Sequence, residues 1–142
     1  MPPDSNLYRV TAKALVLDER QRFLLFKEGN GLWEIPGGGV DYGEKPQDTL
    51  KREFAEEAGL EVTGVNVHPS YFVTALNING QWKSATVYET SLKNLNFKQS
   101  DECVELRFFT KEKALKEKLY PITLAFIKAF DPKRHGPKTN SA

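Results

Sequence analysis

Three glutamates, Glu53, Glu56 and Glu57, stand near the end of a helix-forming stretch. At 100° per residue they gather on an arc of about 100°, beside the side formed by Gln47, Leu50, Phe54 and Ala58. A helix C-terminus carries partial negative charge and prefers Lys or Arg, by about 0.3–1 kcal/mol per charge. Two carboxylates about 4 Å apart also repel by roughly 4 kcal/mol at an effective dielectric of 20. The cluster therefore needs cations or protons to persist, and local rules broken together point to a site. With no Cys or His nearby, these hard oxygens favour Mg²⁺, with Mn²⁺ as a substitute, over Zn²⁺. The competing reading is a solvated acidic helix face, the usual fate of a charge run on an isolated helix.

The elements that position these groups are readable on either side. Pro46 suits a first helical turn and Gly59 a left-handed stop, so the spacing predicts a helix from Pro46 to Ala58. Upstream, Pro36-Gly37-Gly38-Gly39 reads as a loop whose glycines permit close approach of a ligand.

Gly38, five residues, Glu44, seven residues, then Arg52-Glu53-Phe54-Ala55-Glu56-Glu57-Ala58-Gly59-Leu60 resembles the Nudix box, G-x5-E-x7-R-E-U-x-E-E-x-G-U, with U a bulky aliphatic residue. All seven fixed letters are present. Phe54 departs from the pattern at a core-facing position, which changes packing and leaves the chemistry unaltered.

The resemblance implies an enzyme that hydrolyses a pyrophosphate linkage in a nucleoside diphosphate joined to another group. It implies Glu53, Glu56 and Glu57 as metal ligands, the carbonyl of Gly38 or Gly37 completing the shell, and Glu53 or Glu57 as a possible base. Arg52 orients a neighbouring carboxylate by a salt bridge, and Glu44 supports the site from behind or sits favourably at the helix N-terminus. A further acid or base is expected from a downstream loop, with Glu102 chosen over Asp101 and Glu105. Chemically, clustered divalent ions stabilise the charge that builds on phosphoryl oxygens during attack by water.

The chain has 142 residues, 39% apolar and 27% charged, enough for one domain and its core and too few for two. Net charge is +1, so no overall field recruits DNA or an anionic membrane; the partner that the resemblance implies is a small nucleotide. Cys103 is the only cysteine, the N-terminal residues lack a secretory pattern, and no apolar run is long enough to span a bilayer. A cytoplasmic location is the resulting expectation; the oligomeric state is left open.

In chain order, strands are expected over Arg9–Leu17, Phe23–Phe26, Val62–Val67, Tyr71–Ala75, Trp82–Leu92 and Val104–Phe109, with Leu32–Ile35 leading into the glycines. Asn79-Gly80 signals a two-residue hairpin. Lys111–Leu119 reads as a short helix or turn, and Pro121 opens a helix to about Phe130 with Ile122, Ala125, Phe126 and Ala129 on its buried face. Residues 1–6 read as a loose terminus, and Asp131–Ala142, with two prolines and a glycine, as a disordered tail. His68 and His135 read as structural or surface residues. The fold class is α/β (α+β): one domain over 1–142, with helices on a mixed sheet. The resemblance implies the Nudix α/β/α sandwich across nearly residues 7–130.

Substrate choice depends on residues outside the box. Many ADP-ribose hydrolases of the family carry a proline about sixteen residues after the box, where this chain has Leu76. Mutator-type triphosphate hydrolases commonly enter the box with Gly-Gly-Lys, where Gly39 replaces the lysine. The small size resembles the mutator-type branch, so a (deoxy)nucleoside triphosphate cleaved to monophosphate and pyrophosphate is the leading expectation. Gly37, Gly38 and Gly39 leave room for phosphates, and Tyr71, Phe72, Trp82 and Tyr120 are candidates to stack on a base. Nucleotide sugars, ADP-ribose and dinucleoside polyphosphates follow, then a non-catalytic nucleotide sensor.

Overall fold

A computed structural model describes residues 6–136, which form eight strands and three helices. The strands are β1 (Arg9–Leu15), β2 (Phe23–Lys27), β3 (Trp33–Glu34), β4 (Gly37–Gly39), β5 (Val62–Val65), β6 (Tyr71–Leu76), β7 (Trp82–Leu92) and β8 (Glu105–Phe109). The helices are α1 (Pro46–Ala58), α2 (Lys111–Ala114) and α3 (Pro121–Ala129).

One sheet runs β4-β1-β7-β5, with β6 also pairing β7; the other runs β3-β2-β8. β1 and β7 are parallel and the other named pairs antiparallel, so the larger sheet is mixed. α1 packs on β1, β4 and β5, whereas α3 packs on β6, β3 and β7.

Period-two alternation explains how the strands serve both helical layers. On β2, Phe23 and Leu25 join the core beneath α3, while Leu24 and Phe26 join the core beneath α1. β1 and the residues that follow it do the same, with Leu15 and Leu17 on one side and Ala12, Ala14 and Val16 on the other. Phe54 meets Phe26 edge to face with ring centroids 5.7 Å apart, which gives the aromatic departure from the box a packing role. Truncating it to alanine would cost about 3–5 kcal/mol.

α1 has the expected bounds, and Gly59 closes it in the left-handed conformation (φ 62°) with its N–H on Ala55 and that of Leu60 on Phe54. The glycines at 37–39 are not a loop. They form β4 against β1, with Thr11 opposite Gly39 and Lys13 opposite Gly37.

Two further expectations are corrected locally. Gly80 takes a positive φ of 83° but Asn79 does not, so the β6–β7 connection is the longer Asn77–Gln81 turn rather than a two-residue one. On α3 the buried residues are Ile122, Thr123, Phe126 and Ile127, and Ala129 is exposed.

The chain beyond α3 is ordered at least to Gly136. Pro132–Arg134 form a 3-10 turn, and His135 is buried against Phe130 and Tyr71. Residues 1–5 and 137–142, expected to be loose, lie outside the described residues. Among the described residues no helix is long and apolar enough to cross a membrane.

Candidate active site

The C-terminal half of α1 carries its acidic edge towards the loop before β8. Ligand oxygens of Glu53, Glu57 and Glu102 all lie within 4.8 Å of one another. Glu102 reaches them because the loop is tied to the end of the helix. Lys98 N–H donates to the Ala58 carbonyl at 2.8 Å, and Ser100 Oγ donates to the Glu57 carbonyl at 2.5 Å. Both bonds satisfy carbonyls that a helix end leaves free. On the loop's far side Gly29 N–H donates to the Asp101 carbonyl at 2.7 Å.

Glu57 is 7% exposed, and Glu53 is half-buried. Burial, then a hydrogen bond with Glu53, pushes the Glu57 carboxyl up to about 10, with Lys13 opposing the rise. Without a cation Glu57 therefore keeps its proton at neutral pH. The donor set suits a hard divalent ion: three carboxylates, one of them buried, and no imidazole. Cys103 adds no soft ligand, since burial pushes its thiol up to about 12 and its Sγ faces the Glu105 carbonyl.

Gly38 is required by this packing, because a Cβ there would sit 2.5 Å from Glu53 Cδ. Gly37 has a φ of 132° and its missing Cβ would strike the Ala12 carbonyl. Gly39 lies against the Arg9 guanidinium, and its carbonyl accepts from Arg52 Nη2 at 3.1 Å.

Arg52 is the hub behind the cluster. Its Nε and Nη2 each donate at 2.9 Å to Glu44, and its Nη1 donates to Glu53 at 2.9 Å and to Glu56 at 3.4 Å. Glu44 also accepts from Thr49 Oγ at 2.7 Å and from the Asp41 amide at 3.1 Å. These bonds, Arg52 first, hold the Glu44 carboxyl down at about 2 and raise the Arg52 guanidinium further. Glu56, expected as a ligand, sits on the same edge but turns to Arg52, with its side chain 60% exposed. It is not among the three carboxylates drawn together.

The expected stacking aromatics separate. Tyr71 is buried in the core beside Phe126, its hydroxyl 2.8 Å from His135 Nε2, so it is not available to a substrate. Trp82 is 46% exposed and packs by Tyr8, with ring centroids 5.9 Å apart. Tyr120 donates to Glu28 at 2.7 Å and accepts from Asn30 Nδ2 at 2.8 Å.

Tyr120 belongs to a polar wall that sequence reasoning missed. Lys13, 6% exposed, pairs with Glu34 at 3.4 Å, and Glu34 accepts from Thr123 Oγ at 2.8 Å. Thr123 in turn accepts from the Ile35 amide at 2.9 Å. Burial raises the Glu28 carboxyl, and the charges of Glu34 and Glu102 push the same way. Lys83 is lowered by burial and by the charge of Lys13. The signal available was a charge inside an apolar strand, Lys13 between Ala12 and Ala14 and Glu34 between Trp33 and Ile35.

The NUDIX domain family model matches residues 7–130. The "RNA pyrophosphohydrolase" of Ruthia magnifica is 35% identical over 65 residues, 45% of this chain and 36% of that protein. The "Putative 8-oxo-dGTP diphosphatase" of Bacillus subtilis is 43% identical over 54 residues, 37% of this chain and 36% of that protein. These matches thus span about a third of each relative's own length. Among solved structures, the MutT protein of Methanosarcina mazei superposes with a TM-score of 0.67 at 25% identity, covering 91% of this chain and 96% of that one.

Proposed function

Because the chain belongs to the Nudix family, we propose that it hydrolyses a phosphoanhydride bond in a small nucleotide, and that the substrate is a nucleoside triphosphate. The observation that carries this reading is the meeting of Glu53, Glu57 and Glu102 within 4.8 Å. Those three carboxylates would hold divalent ions, Mg²⁺ first, with Glu56 on the same helix edge. A divalent ion bound there supplies electrostatic stabilisation for charge building on the phosphoryl oxygens.

The chain's own groups divide the remaining work. Arg52 holds the Glu53 carboxylate in position, while Glu44 keeps Arg52 in place. As water attacks phosphorus, a P–O bond forms and the bridging P–O bond between the α and β phosphates breaks. The electron pair leaves with pyrophosphate, and the water proton passes to a carboxylate of the cluster. Lys83 and Arg9 add positive charge beside the wall in which Lys13 is paired with Glu34, which suits a polyphosphate.

The names of two relatives mention an RNA and 8-oxo-dGTP, and both bear on the choice of substrates to test. The deciding experiment incubates the chain and Mg²⁺ with dGTP, 8-oxo-dGTP, 5′-triphosphorylated RNA, ADP-ribose and a nucleotide sugar, and compares kcat/KM. A monophosphate with pyrophosphate from the triphosphates is expected. Preference above about tenfold for either sugar-linked diphosphate overturns the substrate, and no turnover of any overturns the activity.

A further inference from the structure

β6 is an edge strand, paired only with β7 among the described residues, and its sequence Tyr-Phe-Val-Thr-Ala-Leu carries neither charge nor proline. Natural edge strands are usually blunted by charged side chains, proline or bulges, because their free amides and carbonyls accept another strand. β6 has none of these across residues 71–76; Arg134, from the chain after α3, donates to the preceding Ser70 carbonyl at 3.0 Å and lies over the ring of buried Tyr71, 4.6 Å from its centroid. The side chains on the face away from α3 add a second feature. Phe72 is 66% exposed and Leu76 48%, with Thr74 exposed between them. Trp82, opposite Leu76 on β7, continues the apolar strip.

We propose that β6 pairs antiparallel with β6 of a second copy of this chain, with Thr74 facing Thr74 across a two-fold axis. The geometry selects both occupant and register. In an antiparallel pair, opposed residues lie on the same face, so 72, 74 and 76 must oppose one another. Centring the axis on Thr74 sets each Phe72 against the other copy's Leu76, and Val73 against Ala75. A two-fold axis reproduces the Phe72–Leu76 contact twice, which is the self-complementarity an isologous dimer needs. α3 lies on the other face and leaves the exposed strip clear.

Sedimentation velocity of the full chain should give a species of twice 16.1 kDa at micromolar concentration. Thr74→Lys places two ammonium groups against each other on the axis and should weaken self-association on the order of tenfold or more, with unchanged circular dichroism. Thr74→Cys tests the register even if that lysine variant misfolds. Treated with a short bis-maleimide, it should crosslink to a dimer, while Thr63→Cys, exposed on β5, should not; Cys103 is buried and stays silent. A wild-type chain that stays monomeric overturns the proposal. So does a dimer that Thr74→Cys fails to crosslink, or one that a folded Thr74→Lys variant keeps intact.

Discussion

Arg52 and Glu44 are joined by two hydrogen bonds of 2.9 Å, Nε to Oε2 and Nη2 to Oε1, across the loop that leads into α1. The bidentate pair fixes the guanidinium so that its third nitrogen meets Glu53 at 2.9 Å. Glu44 therefore acts on the cluster without touching it. Glu44→Gln should lower kcat/KM on the order of 10- to 100-fold and weaken activation by Mg²⁺, while the fold survives. Titration of Mg²⁺ against initial rate checks this; unchanged activation would remove Glu44 from the site.

The same pair has a pH signature. Glu44 is lowered from 4.5 to about 2, so its stabilising contribution is complete above about pH 4.5 and is lost as pH falls towards 2. Glu44→Gln should flatten that part of the acid unfolding curve, measured by circular dichroism.

Glu57 behaves with the opposite sign. A carboxyl raised from 4.5 to about 10 keeps its proton in the folded chain after the unfolded chain has lost it. Stability without metal should accordingly decline as pH rises from about 4.5 towards 10. Melting in EDTA should show this slope for the wild type and not for Glu57→Gln, which should melt level with or above wild type at pH 8. The same substitution should lower turnover on the order of 100-fold or more. A large fall in its melting temperature would make Glu57 a structural residue.

How legible the site was varies with the range of the interaction. α1 and its glycine stop follow from Pro46, Gly59 and the 3.6-residue period, all local signals. The glycines read as a loop because their strand character comes from β1, which supplies the pairing and takes up the space at Gly37 and Gly39, while Glu53 of α1 takes it up at Gly38. Glu102 could be chosen only through the resemblance, since the bonds from Lys98 and Ser100 that bring it in are tertiary. His135 reads from sequence as structural or surface and its tail as disordered, because Asp131–Gly136 looks polar alone and orders through Tyr71 and Phe130.

Ser100 offers a direct test of that loop. Its hydroxyl both ends α1 and anchors the turn carrying Glu102, whose own amide donates back to Ser100 Oγ at 3.2 Å. Ser100→Ala removes a bond worth about 0.5–1.5 kcal/mol, and the melting temperature should drop by about 1–6 °C. The Mg²⁺ concentration giving half-maximal activity should rise with it. Equal activation in Ser100→Ala would mean that Glu102 needs no such anchor.

Tyr71 separates a core role from a substrate role. Its hydroxyl accepts from the Asp131 amide at 3.1 Å and meets His135 Nε2 at 2.8 Å, so it pins the chain after α3 onto β6. Tyr71→Phe keeps the ring against Phe126 but leaves the Asp131 amide and the His135 ring without that partner. Leaving buried polar groups unsatisfied costs about 1–3 kcal/mol, so the melting temperature should fall by several degrees. Hydrogen exchange should quicken at residues 131–135. KM should stay at the wild-type value for every nucleotide, since the ring points into the core. A raised KM with an unchanged melting temperature would return Tyr71 to the substrate-binding wall and take the tail out of the fold.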